Sequence, residues 1–122
     1  MLNVVLATAR PKIWQRFEET LLSDPGVQLN QVASGADALK AVGAAPPHLV
    51  IIDADLPDAG PLELVQRLLT VNALVNTAVV SPLTDEEFHE ASEGLGVLTR
   101  LPLEPGGLEA TELLSKLRLV LG

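Results

Sequence analysis

The sequence predicts a doubly wound α/β fold, a five-stranded parallel sheet with five helices on both faces. Three observations carry this. Short apolar runs alternate five times with segments of helical periodicity. The connections between them are short, which favours parallel strands joined by right-handed crossovers. The third run, Leu49-Val50-Ile51-Ile52, is unbroken by polar residues, as central strands buried on both sides are.

Taken in order, residues 2–6 (LNVVL) read as the first strand. Pro11 suits the first turn of the helix that follows, where its missing N–H costs nothing. Ile13, Phe17, Thr20 and Leu21 recur at helical spacing through Leu22, with Trp14 beside that stripe as an edge cover. Asp24-Pro25-Gly26 stops this helix. Residues 27–32 (VQLNQV) alternate apolar and polar as a second strand. A helix starts at Ser34, turns Ala38, Leu39 and Val42 inward, and ends over residues 43–47. The third strand occupies 48–52. Pro61 then opens a helix with the stripe Leu64, Val65, Leu68 and Leu69. Residues 77–80 (TAVV) form the fourth strand. Thr84-Asp85-Glu86-Glu87 has the composition of a helix start, a hydroxyl cap followed by acids that complement the dipole. Gly94 and Gly96 close that short helix, and a fifth strand is expected over 96–99. Pro102, Pro105, Gly106 and Gly107 make a turn before a last helix over 108–121.

The 122 residues suit one domain with a real core, and could be a piece of a longer protein. Aromatics are only 2%, so the core is aliphatic. The net charge of -8, with no basic cluster, argues against nucleic acid and anionic membranes. The absence of cysteine excludes disulfides and thiolate chemistry. His48 and His89 sit in no metal-ligand pattern. No apolar run is long enough to span a bilayer and no signal peptide is evident, so a soluble, cytoplasmic protein is expected.

Functional interest centres on Asp53, directly after the third strand. Ligands and chemistry collect at the carboxyl edge of such sheets. Three readings of Asp53 stand open: a turn-capping acid, a Mg²⁺ ligand together with Asp55 or Asp58, or a nucleophile that accepts a phosphoryl group.

The element order, the DADLPDAGPLEL segment after a buried strand, Ser81 after the fourth strand and Leu101-Pro102 after the fifth resemble the receiver domain of bacterial response regulators, a flavodoxin-like fold. The resemblance spans essentially the whole chain. Its most specific part is Asp53-x-x-Leu56-Pro57 with Gly60 and Leu62-Glu63-Leu64. It implies that Asp53 matches the position a histidine kinase phosphorylates, and that the Leu101–Pro102 bond is cis. The chain also departs from the family. Ala7 and Thr8 stand where receivers carry the acidic pair that holds Mg²⁺. Leu101, or Arg100 after a one-residue shift, stands where receivers carry a lysine. Leu98 or Val97 replaces the aromatic switch residue.

A degenerate receiver is therefore expected: a signalling module that binds proteins, is not an enzyme and needs no cofactor. Its partner, another protein or a second copy, would meet the last helices, with Leu98, Leu113, Leu117 and Val120 as interface candidates. The alternative is a working phosphorelay receiver. Asp53 would be its acceptor, Ser81 and Arg100 would contact the phosphoryl group, Asp53 and Asp55 would hold Mg²⁺, and a histidine kinase would act upstream. A small-molecule or nucleotide binder at the sheet edge is the third reading, although Ala7-Thr8-Ala9-Arg10-Pro11 is no glycine-rich phosphate loop.

Overall fold

The computed structural model describes residues 1–122 throughout. Its strands are β1 (Leu2–Ala7), β2 (Val27–Val32), β3 (Leu49–Ile52), β4 (Asn76–Val80) and β5 (Thr99–Leu101). They form one parallel sheet in the order β2-β1-β3-β4-β5. The helices are α1 (Gln15–Leu22), α2 (Gly35–Ala44), α3 (Pro61–Val71), α4 (Asp85–Ala91) and α5 (Gly107–Leu121). The doubly wound five-stranded architecture read from the sequence is the one observed.

Two apolar layers flank the sheet because successive strand residues point to opposite faces. Leu49 and Ile51 of β3 join Trp14, Phe17 and Leu21 beside α1, and Leu113 and Leu117 of α5. Val50 and Ile52 join Val42 of α2, Leu64 and Leu68 of α3, and Phe88 of α4. Local signals agree with this packing. Ser34 caps α2 by accepting from the Asp37 N–H, and Thr84 with Glu87 forms a capping box on α4. Gly107 lets α5 approach α1 closely, since a Cβ there would lie 2.7 Å from Thr20 Oγ1.

Several expectations are corrected. The chain after Pro11 makes a 3-10 turn over Pro11–Trp14 before α1 begins. That turn swings Trp14 fully inside, where it packs edge-on against Phe17 at 5.0 Å, rather than covering an edge. β5 starts at Thr99, three residues later than the expected 96, with Ala78 opposite Thr99 and Val80 opposite Leu101. Gly94 and Gly96 have φ of 83° and 64°, left-handed values suited to a turn and not to a strand. There is no cis peptide bond, so Leu101–Pro102 is trans.

The interface candidates also divide. Leu113 and Leu117 are 1% and 0% exposed and belong to the core, so they cannot form a surface. Leu98 is half-buried and packs on the same core layer. Only Val120 is open, at 55%, with Leu108, Leu119 and Leu121 also exposed along α5.

Core and surface on α5 can be separated by urea denaturation. Leu117→Ala is expected to cost about 2–5 kcal/mol, the usual range for emptying a core leucine site. Val120→Ala is expected to change stability by less than about 0.5 kcal/mol. Equal costs at the two positions would contradict this division of the helix.

Candidate functional site

β3 carries Asp53 to the carboxyl rim of the sheet, and the Asp53 N–H donates to Ala7 O at 2.9 Å, which continues the pairing with β1. The loop after β1 therefore folds over the same point. Asp53 is wholly buried. A bare carboxylate there would be strongly penalised by desolvation, so its partners decide whether it can ionise.

The carboxylate accepts five hydrogen bonds. Thr8 Oγ1 donates to Oδ2 at 2.6 Å, and the Trp14 indole N–H donates to Oδ2 at 3.1 Å. The Ala54 N–H donates to Oδ1 at 2.8 Å. Arg10 supplies the other two as a fork, Nε to Oδ2 at 3.0 Å and Nη2 to Oδ1 at 2.5 Å. This bidentate, charge-assisted pairing is the strong geometry for guanidinium and carboxylate. Arg10 is itself pinned at both ends. Its N–H donates to Thr8 Oγ1 at 2.9 Å, and Nη2 also donates to Leu103 O at 3.0 Å, tying the loop after β1 to the loop after β5.

Burial alone would push the Asp53 carboxyl up. The hydrogen bonds from Arg10, Thr8 and Trp14, together with the Arg10 charge, outweigh it and hold the group below the usual carboxylate range. The Arg10 guanidinium is correspondingly pushed up, chiefly by its bond to Asp53. Asp53 is thus an anion with its acceptor sites filled by the protein's own donors.

The other residues singled out from the sequence lie elsewhere. Arg100 does not reach Asp53; its Nε meets Asp85 at 2.9 Å and its Nη1 donates to Ser81 O at 3.0 Å. Leu101 is buried in the core, so no cation comes from that position. Ser81 is buried at the end of β4, and its hydroxyl accepts from the Leu83 N–H at 3.2 Å, the turn role, with no bond to Asp53. Asp55 is exposed, with a left-handed φ of 61°. Asp58 accepts from the Gly35 and Ala36 N–H groups at 2.8 and 2.9 Å and so holds the start of α2. Those bonds draw its carboxyl below the usual range. Nowhere do three or more His, Asp or Glu side chains converge as a metal site. His48 accepts from the Asn3 N–H through Nδ1 at 2.9 Å, and His89 is exposed.

Sequence reasoning found Asp53 but missed Arg10, Thr8 and Trp14. The available signal was an arginine and the chain's single tryptophan just past the first strand, at the same sheet edge as Asp53.

Solved structures with this architecture share a description. The chain superposes on the chemotaxis response regulator CheY4 of Vibrio cholerae with a TM-score of 0.80 at 20% identity, covering 96% of this chain and 98% of that one. The fold is that of a response-regulator receiver domain. The response regulator domain of Thermotoga maritima CheB aligns with a TM-score of 0.79 at 19% identity, covering 98% and 95% of the two chains. A two-component response regulator from Legionella pneumophila aligns at 0.78 and 16% identity, covering 98% and 99%. No protein-family model and no curated protein matches the sequence. The receiver likeness is therefore one of fold.

Arg10→Ala is expected to destabilise the domain by about 2–4 kcal/mol, toward the low side for breaking a buried pair because the arginine is partly open to solvent. Replacing both partners together, as Arg10→Met with Asp53→Leu, should recover part of that loss. A cost below about 0.5 kcal/mol for Arg10→Ala would mark a weak surface pair instead. The pH dependence has a defined sign. A depressed carboxyl contributes stability that is full above its unfolded value near about 4 and is lost as pH falls through the folded value. Glu18, whose carboxyl is pushed up by burial, acts in the opposite sense. Asp53→Asn should therefore flatten the acid limb of stability against pH below about 4, relative to the parent.

Proposed function

We propose that this chain is a receiver-fold signalling module that works by binding proteins and not by accepting a phosphoryl group. The observation that carries this is the closed Asp53 site: the carboxylate is neutralised by Arg10 and saturated by five donors. Attack on phosphorus requires a free lone pair aimed outward, and here the lone pairs are spent inward. Phosphoryl transfer also needs a divalent ion and cations around the transferring oxygens. Asp53 and Asp55 are a poor pair for Mg²⁺, because Asp53 is already paired with Arg10 and Asp55 is exposed to solvent. Arg100 is held by Asp85. On this reading the chain is not an enzyme, requires no cofactor and acts in the cytoplasm, in a pathway of the two-component kind.

The working phosphoacceptor is the rival reading. Ser81 favours it, since a hydroxyl stands at the end of β4 as the resemblance requires. That reading needs Arg10 to leave Asp53 and a metal to be held with few ligands. The binding surface on the favoured reading is the outer side of α5, where Leu108, Leu119 and Val120 stand exposed. No helix is long and apolar enough to cross a membrane, so these residues are read as contacts for a protein.

Intact mass after incubation with acetyl phosphate and Mg²⁺ tests the proposal. No adduct is expected on the folded protein, while an ordinary receiver treated in parallel is labelled. An adduct that is abolished by a chelator and by Asp53→Asn would overturn the reading. Sedimentation of the parent beside Leu119→Glu tests the surface: self-association or partner binding should be lost in the variant at unchanged stability.

A further inference from the structure

A cavity of about 440 Å³ opens between the loop after β3, the first turn of α3 and the start of the β4–α4 loop. Asp53 is not part of it. Its walls are mostly apolar, built by Leu62, Val79 and Phe88, while Ser81, Asp55 and Glu63 supply polar groups. Such a space, apolar with a few fixed polar groups, is the usual form of a small-molecule site.

Two of those polar groups have unused capacity. The Ser81 hydroxyl is more than nine-tenths buried; it accepts from the Leu83 N–H, and its own proton has no acceptor within the protein. The Asp55 carboxylate makes no ion pair, although it lies within range of the Arg10 charge, and its backbone is held in the left-handed conformation. Nearby cations are already engaged. Arg67 pairs with Glu63 at 2.8 Å, and Arg10 is neutralised by Asp53. The charge left over at the mouth is therefore negative, on a chain whose net charge of -8 also draws cations toward it.

We infer that this cavity binds a small organic amine, with its apolar body against Phe88, Val79 and Leu62 and its ammonium on Asp55. Ser81 offers a hydrogen bond to a polar substituent on the body. An anionic ligand would meet the unpaired Asp55 carboxylate, and a wholly apolar one would leave it without a partner. The cavity shares one wall with the closed site, because Ala54 lines it and also donates its N–H to Asp53. The amine contact uses Asp55 and not Asp53, so binding of an amine and labelling of Asp53 are read out by separate experiments and can fail separately.

The test is amide chemical-shift titration of the full chain with phenethylamine, phenethyl alcohol and phenylacetate. Phenethylamine should give saturable shifts at Ala54, Leu62, Glu63 and Phe88, and bind about tenfold more tightly than the alcohol, the gain expected of one charge-assisted contact. Phenylacetate should bind more weakly than either. Asp55→Asn keeps a residue that tolerates the left-handed backbone. It should abolish the preference for the amine while leaving the alcohol's affinity unchanged, its amide spectrum reporting that the fold is kept. Absence of saturable shifts, equal binding of amine and phenylacetate, or an amine preference that survives Asp55→Asn would each overturn the inference.

Discussion

The bidentate contact between Arg10 and Asp53 is the constraint on which the carboxyl edge of this sheet depends. A buried anion at the end of the central strand has to be neutralised from somewhere, since desolvation without a partner would cost several kcal/mol or force protonation (of order several kcal/mol per ion). Here the counter-charge comes from the loop after β1. The consequences spread outward. Arg10 also reaches Leu103 O, so three loops are clamped at one point. Trp14 must turn inward to give its indole N–H to the same carboxylate. The 3-10 turn that does this also seats Trp14 against Phe17, the aromatic pair of the core layer beside α1 and α5.

The positive charge beside this carboxylate comes from the protein's own arginine. The guanidinium cannot be deprotonated and offers donors in a fixed fork. It therefore keeps its charge across the pH range in which carboxylates titrate. A receiver fold with such a pair retains its sheet, helices and outer surface, and those are what the proposed protein-binding role uses. The neighbouring cavity with its unpaired Asp55 is a separate resource of the same rim.

The fold was legible because alternation of strand and helix patterns is a long-range property that small local errors do not disturb. Asp53 was legible for a similar reason: an acid directly after an unbroken apolar run has only one place to go. Arg10 was not, since its reach depends on the direction in which the loop and the 3-10 turn carry it, and no periodicity encodes that. The partners of Arg100, Asp85 and the Ser81 carbonyl, were not legible either, because they depend on how the β4–α4 loop and β5 meet in space. Leu113 and Leu117 were misplaced because α5 is apolar on more than one side. Periodicity alone could not say which leucines face α1 and the sheet; in the structure Leu113 and Leu117 do.

The most direct measurement of the central claim is the indole N–H resonance of Trp14, the only tryptophan, during a Mg²⁺ titration. That proton is bonded to Asp53 Oδ2 and reports on whatever the carboxylate binds. With Arg10 as the counter-ion, the resonance should stay protected from solvent exchange and unmoved through millimolar Mg²⁺, and should shift in Arg10→Ala. A saturable shift with Mg²⁺ in the parent protein would contradict the account, because it would mean that a metal displaces the arginine and that the site is open.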